Sequence, residues 1–97
     1  MINTYLFTVR SATMEDTEII TDFQLAMALE TENICLEREV TSRGVNAVFS
    51  GPARGKYYVV ETADKVIASM LTTPEWSDWR NRNILWIQSV YVIPEFR

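Results

Sequence analysis

Asn83-Ile84-Leu85-Trp86-Ile87-Gln88-Ser89-Val90-Tyr91-Val92-Ile93-Pro94-Glu95-Phe96-Arg97 is the most apolar run of the chain, and its reading decides the fold. Divided by the two-residue period of a strand, it places Leu85, Ile87, Ser89, Tyr91 and Ile93 on one face and Ile84, Trp86, Gln88, Val90 and Val92 on the other. Neither set is clearly polar, which predicts a central strand covered on both sides. Pro94 has no amide hydrogen to give to a ladder and closes the strand, and Glu95, Phe96 and Arg97 begin a polar turn. An apolar strand that needs cover on two faces, with only a short turn after it, creates the expectation that further elements complete the domain.

Working back from that strand, residues 75–82 form a polar and aromatic connection, and Pro74 is expected to stop the strand before it, residues 66–73. Residues 56–61 read as a second strand joined to it by a tight turn at residues 62–65, so the two make a hairpin. Upstream lies the loop Ser50-Gly51-Pro52-Ala53-Arg54-Gly55. Residues 37–49 read as an amphipathic helix with Val40, Val45, Val48 and Phe49 buried, weakened at Gly44 by about 1 kcal/mol relative to alanine. A longer helix over residues 14–29 shows Ile19, Ile20, Phe23, Ala26, Met27 and Glu30 along one side. Ser11 or Thr13 caps it, and Glu15 and Asp16 suit the dipole of its first turn. Residues 5–10 alternate as an opening strand, with Tyr5, Phe7 and Val9 on one face. The order β-α-α-β-β-β predicts an α+β fold of the α/β sandwich type: a mostly antiparallel sheet with helices packed on it, in one domain over residues 1–97.

Composition narrows the chemistry. With 47% apolar and 23% charged residues in 97, the chain is an ordinary globular one rather than a disordered one. A formal charge of -4 and a pI near 4.7 argue against nucleic acid or an anionic membrane as partner and favour a cationic amine or peptide. Cys35 is the single cysteine and cannot form an internal disulfide; no histidine is present. Together these remove most zinc sites, the serine and cysteine triads and any imidazole acid or base, so no metal is expected. The opening residues lack a basic region followed by an apolar core, and no stretch approaches ~20 apolar residues, so a cytoplasmic location is expected. Gly51-Pro52-Ala53-Arg54-Gly55-Lys56-Tyr57 has the glycines and lysine of a phosphate loop but one residue too few, tyrosine where serine or threonine belongs, and a strand rather than a helix after it.

Val90-Tyr91-Val92-Ile93-Pro94-Glu95-Phe96-Arg97 resembles the fourth strand of the GCN5-related N-acetyltransferase (GNAT) superfamily, Val-x-Val-x-Pro-x-(Tyr/Phe)-Arg. Thr8-Val9-Arg10-Ser11-Ala12-Thr13-Met14-Glu15-Asp16 is similar to its opening strand and helix start, Arg-x-Ala-Thr-x-x-Asp. The coenzyme A pyrophosphate loop of that family, Arg/Gln-x-x-Gly-x-Gly/Ala, does not follow. The resemblance therefore implies the amino-terminal half of such a domain, a partial one that lacks the loop and the elements after it and is inactive by itself.

In that family a substrate amine attacks the thioester of acetyl-CoA directly. Deprotonating a lysine-like amine at pH 7 costs about 4.6 kcal/mol unless the site helps, and losing one donor to the tetrahedral oxygen costs about 3 to 4 kcal/mol. Backbone amides near a bulge of the fourth strand hold the cofactor, which the resemblance puts at Val90, Tyr91 and Val92; as plain core-strand residues the three are explained equally well. Trp86 stands where many members carry a glutamate base, so the resemblance leaves Gln88 and Ser89 to orient a water, or a carboxylate such as Glu32 or Asp78 to act as base. The tyrosine acid of the family lies beyond residue 97. Acceptor selection falls by resemblance to Glu30, Glu32, Asn33 and Glu37, with Trp76, Asp78 and Trp79, where carboxylates beside indole faces suit a cationic amine. A second reading is an interaction module that associates with another copy, as a homodimer, or with a separate carboxy-terminal part through its last strand.

Overall fold

The computed structural model describes residues 6–97. Four strands and two helices follow the expected order: β1 (Thr8–Ser11), α1 (Thr17–Glu32), α2 (Arg38–Ser50), β2 (Lys56–Glu61), β3 (Val66–Ser77) and β4 (Arg82–Val92). The sheet runs β1-β2-β3-β4, every neighbour antiparallel. Tyr5, expected in the first strand, lies outside the described residues.

A single 3-10 turn at Met14–Asp16 leads into α1. Asp16 is buried there and takes the Thr13 amide at 2.8 Å and both terminal nitrogens of Arg10 at 2.8 and 2.9 Å. Arg10 also reaches Glu61 at 3.1 Å, so one guanidinium ties β1 to the start of α1 and to the end of β2. Asn33 ends α1 in the left-handed conformation that favours asparagine or glycine. The two helices cover one sheet face, where Ile20, Val45, Tyr57 and Val59 form the centre of the core. Val40, expected to be buried, is 60% exposed. It sits five positions before Val45, roughly 140° around the helix, and so misses the stripe formed by Val45, Val48 and Phe49. Gly55 enters β2 at φ 146°, where a Cβ would lie 2.7 Å from the Thr72 carbonyl oxygen.

Two expectations about the last strands change. Pro74 does not end β3, which continues to Ser77 and pairs Pro74 with Leu85. The reason is local: β2 begins at Lys56, opposite Thr72, so beyond Thr72 the β2 side of β3 is an edge that needs no proline amide. Nor is β4 covered on both sides by the described residues. Within the described residues it is the outer strand of the sheet, with Leu85, Trp86, Ile87 and Val90 each more than half exposed. Both helices lie on the face carrying Tyr57 and Tyr91.

Candidate active site

β4 is interrupted where it matters for a ligand. Its pairing runs Leu71 with Ser89 and then Thr72 with Ile87, leaving Gln88 as one extra residue on β4. Such a bulge re-aims the strand that follows it. Past the bulge the phase of the ladder is fixed by the Ile93 amide, which donates to the Ile67 carbonyl at 3.0 Å. Antiparallel residues alternate between groups turned to the partner and groups turned away. Tyr91 therefore shares its backbone groups with β3, whereas Val90 and Val92 turn theirs to the open edge. The Val92 carbonyl confirms this, since it accepts from Arg97 Nε at 2.7 Å on that outer side.

Helix α1 braces the bulged segment from one face. The Phe23 and Tyr91 rings lie 5.1 Å apart, and Gln24 Nε2 donates to Ser89 Oγ at 3.3 Å. Along the open edge runs a groove of about 450 Å³, walled by Met27, Glu30 and Thr31 of α1 on one side and by Val90, Tyr91, Val92 and Arg97 on the other. Arg97 is anchored in it by Glu30 at 2.8 Å and stacks 5.2 Å from the Tyr91 ring centre. The Glu30 carboxylate raises the affinity of that guanidinium for its proton.

The residues singled out from sequence separate into two groups. Val90, Tyr91, Val92 and Glu30 meet at the groove, with Ser89 of β4 turned toward Gln24 of α1 and Gln88 exposed at the bulge. Trp76 and Trp79 do not join them: they lie 60% and 93% exposed at the far end of the β3-β4 arm and in its turn. Glu32 is exposed at the end of α1. One residue escaped sequence reasoning. Glu75 accepts a 2.6 Å hydrogen bond from Trp86 Nε1, so a carboxylate does stand beside the position where the strand carries tryptophan. The only signal was strand pairing, which sets Glu75 opposite Ile84, and the expectation that Pro74 ended β3 hid it. Among the described residues no three carboxylate, thiol or imidazole groups gather as a metal site, and no helix is long and apolar enough to cross a membrane.

No protein-family model matches the sequence, and no curated protein does. Solved structures do match. The structure of a possible acetyltransferase from Clostridium difficile 630 superimposes with a TM-score of 0.90 at 47% identity, over 95% of this chain and 60% of that one. A predicted acetyltransferase with acetyl-CoA from Clostridium acetobutylicum matches with a TM-score of 0.68 at 17% identity, over 95% of this chain and 63% of that one. A GNAT family acetyltransferase of Staphylococcus aureus gives 0.71 at 13%, over 94% and 65%. The latter two are alike in fold alone. An antiparallel four-stranded sheet with two helices on it is the first part of the acyl-CoA N-acyltransferase architecture, and the resemblance read from the two motifs is borne out. The chain has the fold of the amino-terminal part of a GCN5-related N-acetyltransferase domain. It spans about 60% of the length of the possible acetyltransferase that it matches at 47% identity.

Proposed function

We propose that this chain is the amino-terminal portion of an acetyltransferase that moves an acetyl group from acetyl-CoA to an amine by direct attack. The observation that carries the proposal is the bulge at Gln88 followed by the outward backbone groups of Val90 and Val92 beside the groove. Two edge amides two residues apart suit the amide groups of a pantetheine arm laid along the strand like an added strand. The Tyr91 side chain, packed on Phe23, keeps that edge in place rather than touching the cofactor through its backbone. The acetyl-CoA in the Clostridium acetobutylicum structure supports the choice of cofactor. No metal takes part in the proposed step.

The amine loses its proton to a water held by Gln88 and Ser89, or to Glu75, the carboxylate fixed by Trp86. Of the residues assigned to acceptor selection, Glu30 at the groove faces the acceptor, a small amine or a peptide amine in the cytoplasm, whereas Glu32, Trp76 and Trp79 lie apart from it. The chain by itself is inactive, because the pyrophosphate of coenzyme A needs a helix amino terminus and loop that the described elements do not provide. Val9, Leu85, Ile87 and Val90, exposed on the uncovered face, mark where the rest of the domain packs.

The test is steady-state acetylation of a panel of amines by the natural full-length protein, comparing wild type with Gln88→Ala, Ser89→Ala and Glu75→Gln. Loss of turnover by about a hundredfold in at least one of the three, the scale of general-base catalysis, supports the reading. An active enzyme indifferent to all three removes these residues from the mechanism, and a full-length protein that neither binds nor hydrolyses acetyl-CoA removes the transferase reading itself. The open edge of β4 also favours a second reading, self-association through that strand as a homodimer. Light scattering that shows a monomer at all concentrations contradicts it.

A further inference from the structure

We propose that the cleft between α2 and the start of β2 binds a small uncharged aromatic molecule carrying one hydrogen-bonding group. The cleft measures about 260 Å³ and is lined chiefly by Ala12, Val48, Phe49, Pro52 and Tyr57. It lies two strands away from the β4 edge and does not depend on the transferase reading. For scale, an engineered apolar cavity of about 150 Å³ holds a benzene molecule, so this cleft takes a substituted single ring.

Two independent features point to a ligand. The first is an unused donor. Tyr57 is 95% buried (5% exposed), yet its hydroxyl has no hydrogen-bond partner among the described residues. Among those residues no sealed side-chain polar atom lacks a partner, so the Tyr57 hydroxyl is not sealed, and its residue lines the cleft. Burial pushes its pKa up, which keeps it protonated and able to donate at neutral pH. The second is the absence of charge. Lys56 is the only ionisable neighbour in the wall, and its ammonium group is turned to the other sheet face, 5.0 Å from the Tyr58 ring centre. The Phe49 and Tyr57 rings, 5.8 Å apart and tilted by 35°, provide an aromatic floor against which a third ring packs edge or face. An uncharged ring is therefore preferred over a carboxylate or an amine, and a ring with one acceptor over a pure hydrocarbon.

The probes are 4-methylphenol and toluene, equal in shape apart from one hydroxyl, titrated into the natural protein while the methyl signals of Ala12 and Val48 are followed by NMR. Saturable shifts at both methyls are expected, with 4-methylphenol bound up to about tenfold more tightly than toluene, the weight of one net hydrogen bond. Tyr57→Phe should erase that preference and leave toluene binding unchanged. Ala12→Leu, which adds bulk to the wall of the cleft, should abolish both. No saturation by either probe in the low millimolar range overturns the site, and so does retained binding in Ala12→Leu. A preference for 4-methylphenol that survives in Tyr57→Phe overturns the role given to the hydroxyl.

Discussion

The amide of Ile93 donates to the carbonyl of Ile67 at 3.0 Å, and the antiparallel ladder carries that phase back along β4 two residues at a time. Hydrogen exchange should report the alternation directly. The Ser89, Tyr91 and Ile93 amides are expected to exchange slowly and those of Val90 and Val92 fast. Adding acetyl-CoA to the full-length protein should slow Val90 and Val92 alone. Uniform protection from Ser89 to Ile93 without ligand would contradict the edge described here.

Trp86 and Glu75 are joined across the arm by a 2.6 Å hydrogen bond. Trp86→Phe keeps an aromatic side chain but removes the donor, and Glu75 then loses its fixed position. In the full-length enzyme kcat is expected to fall by about tenfold, the weight of one hydrogen bond to a charged group, with KM for acetyl-CoA unchanged. A change confined to KM for acetyl-CoA would place Glu75 in cofactor binding instead.

Asp16 is held below the usual carboxylate range, above all by its hydrogen bonds to Arg10. A carboxylate with a depressed pKa contributes stability that is complete above the unfolded value, near 4, and is lost as the pH falls through the folded one. Wild type should lose stability on acidification below that value, and Asp16→Asn should show a flatter acid limb. At pH 7 Asp16→Ala is expected to cost about 2 kcal/mol, less than the 3 to 5 of a fully buried pair, because the Arg10 side chain keeps 32% of its surface in solvent. Urea unfolding between pH 3 and pH 8 measures both effects.

At the alkaline end the sign reverses. Burial raises the Tyr57 pKa above its ordinary value of 10.0. The unfolded chain then ionises first, so the contribution of Tyr57 is whole below pH 10 and declines as the pH rises through the folded value. Denaturation curves at pH 8 and pH 11 should show this loss in wild type and a smaller one in Tyr57→Phe.

Local signals made much of the fold legible. β2 begins and ends where its β-branched and aromatic run does, and α1 follows the spacing of Ile19, Ile20, Phe23 and Met27. What the sequence hid depends on partners far along the chain. Pro74 reads as a stop until β2 is known to begin opposite Thr72, and β4 reads as central because its apolar alternation does not say whether a neighbour is present. The site was legible at the level of the motif, Val90 to Val92. The division between outward Val90 and Val92 and inward Tyr91 follows from pairing with β3, and the Gln24 brace, 65 residues from Ser89, leaves no local mark.

The most direct measurement is a calorimetric titration of acetyl-CoA into two polypeptides, the 97-residue chain and the natural product of the same reading frame. Micromolar binding by the natural product, together with none by the shorter chain, is the result expected of a β4 edge that grips the cofactor only within a completed domain. Micromolar binding by the 97 residues alone, or no binding by either polypeptide, would contradict it.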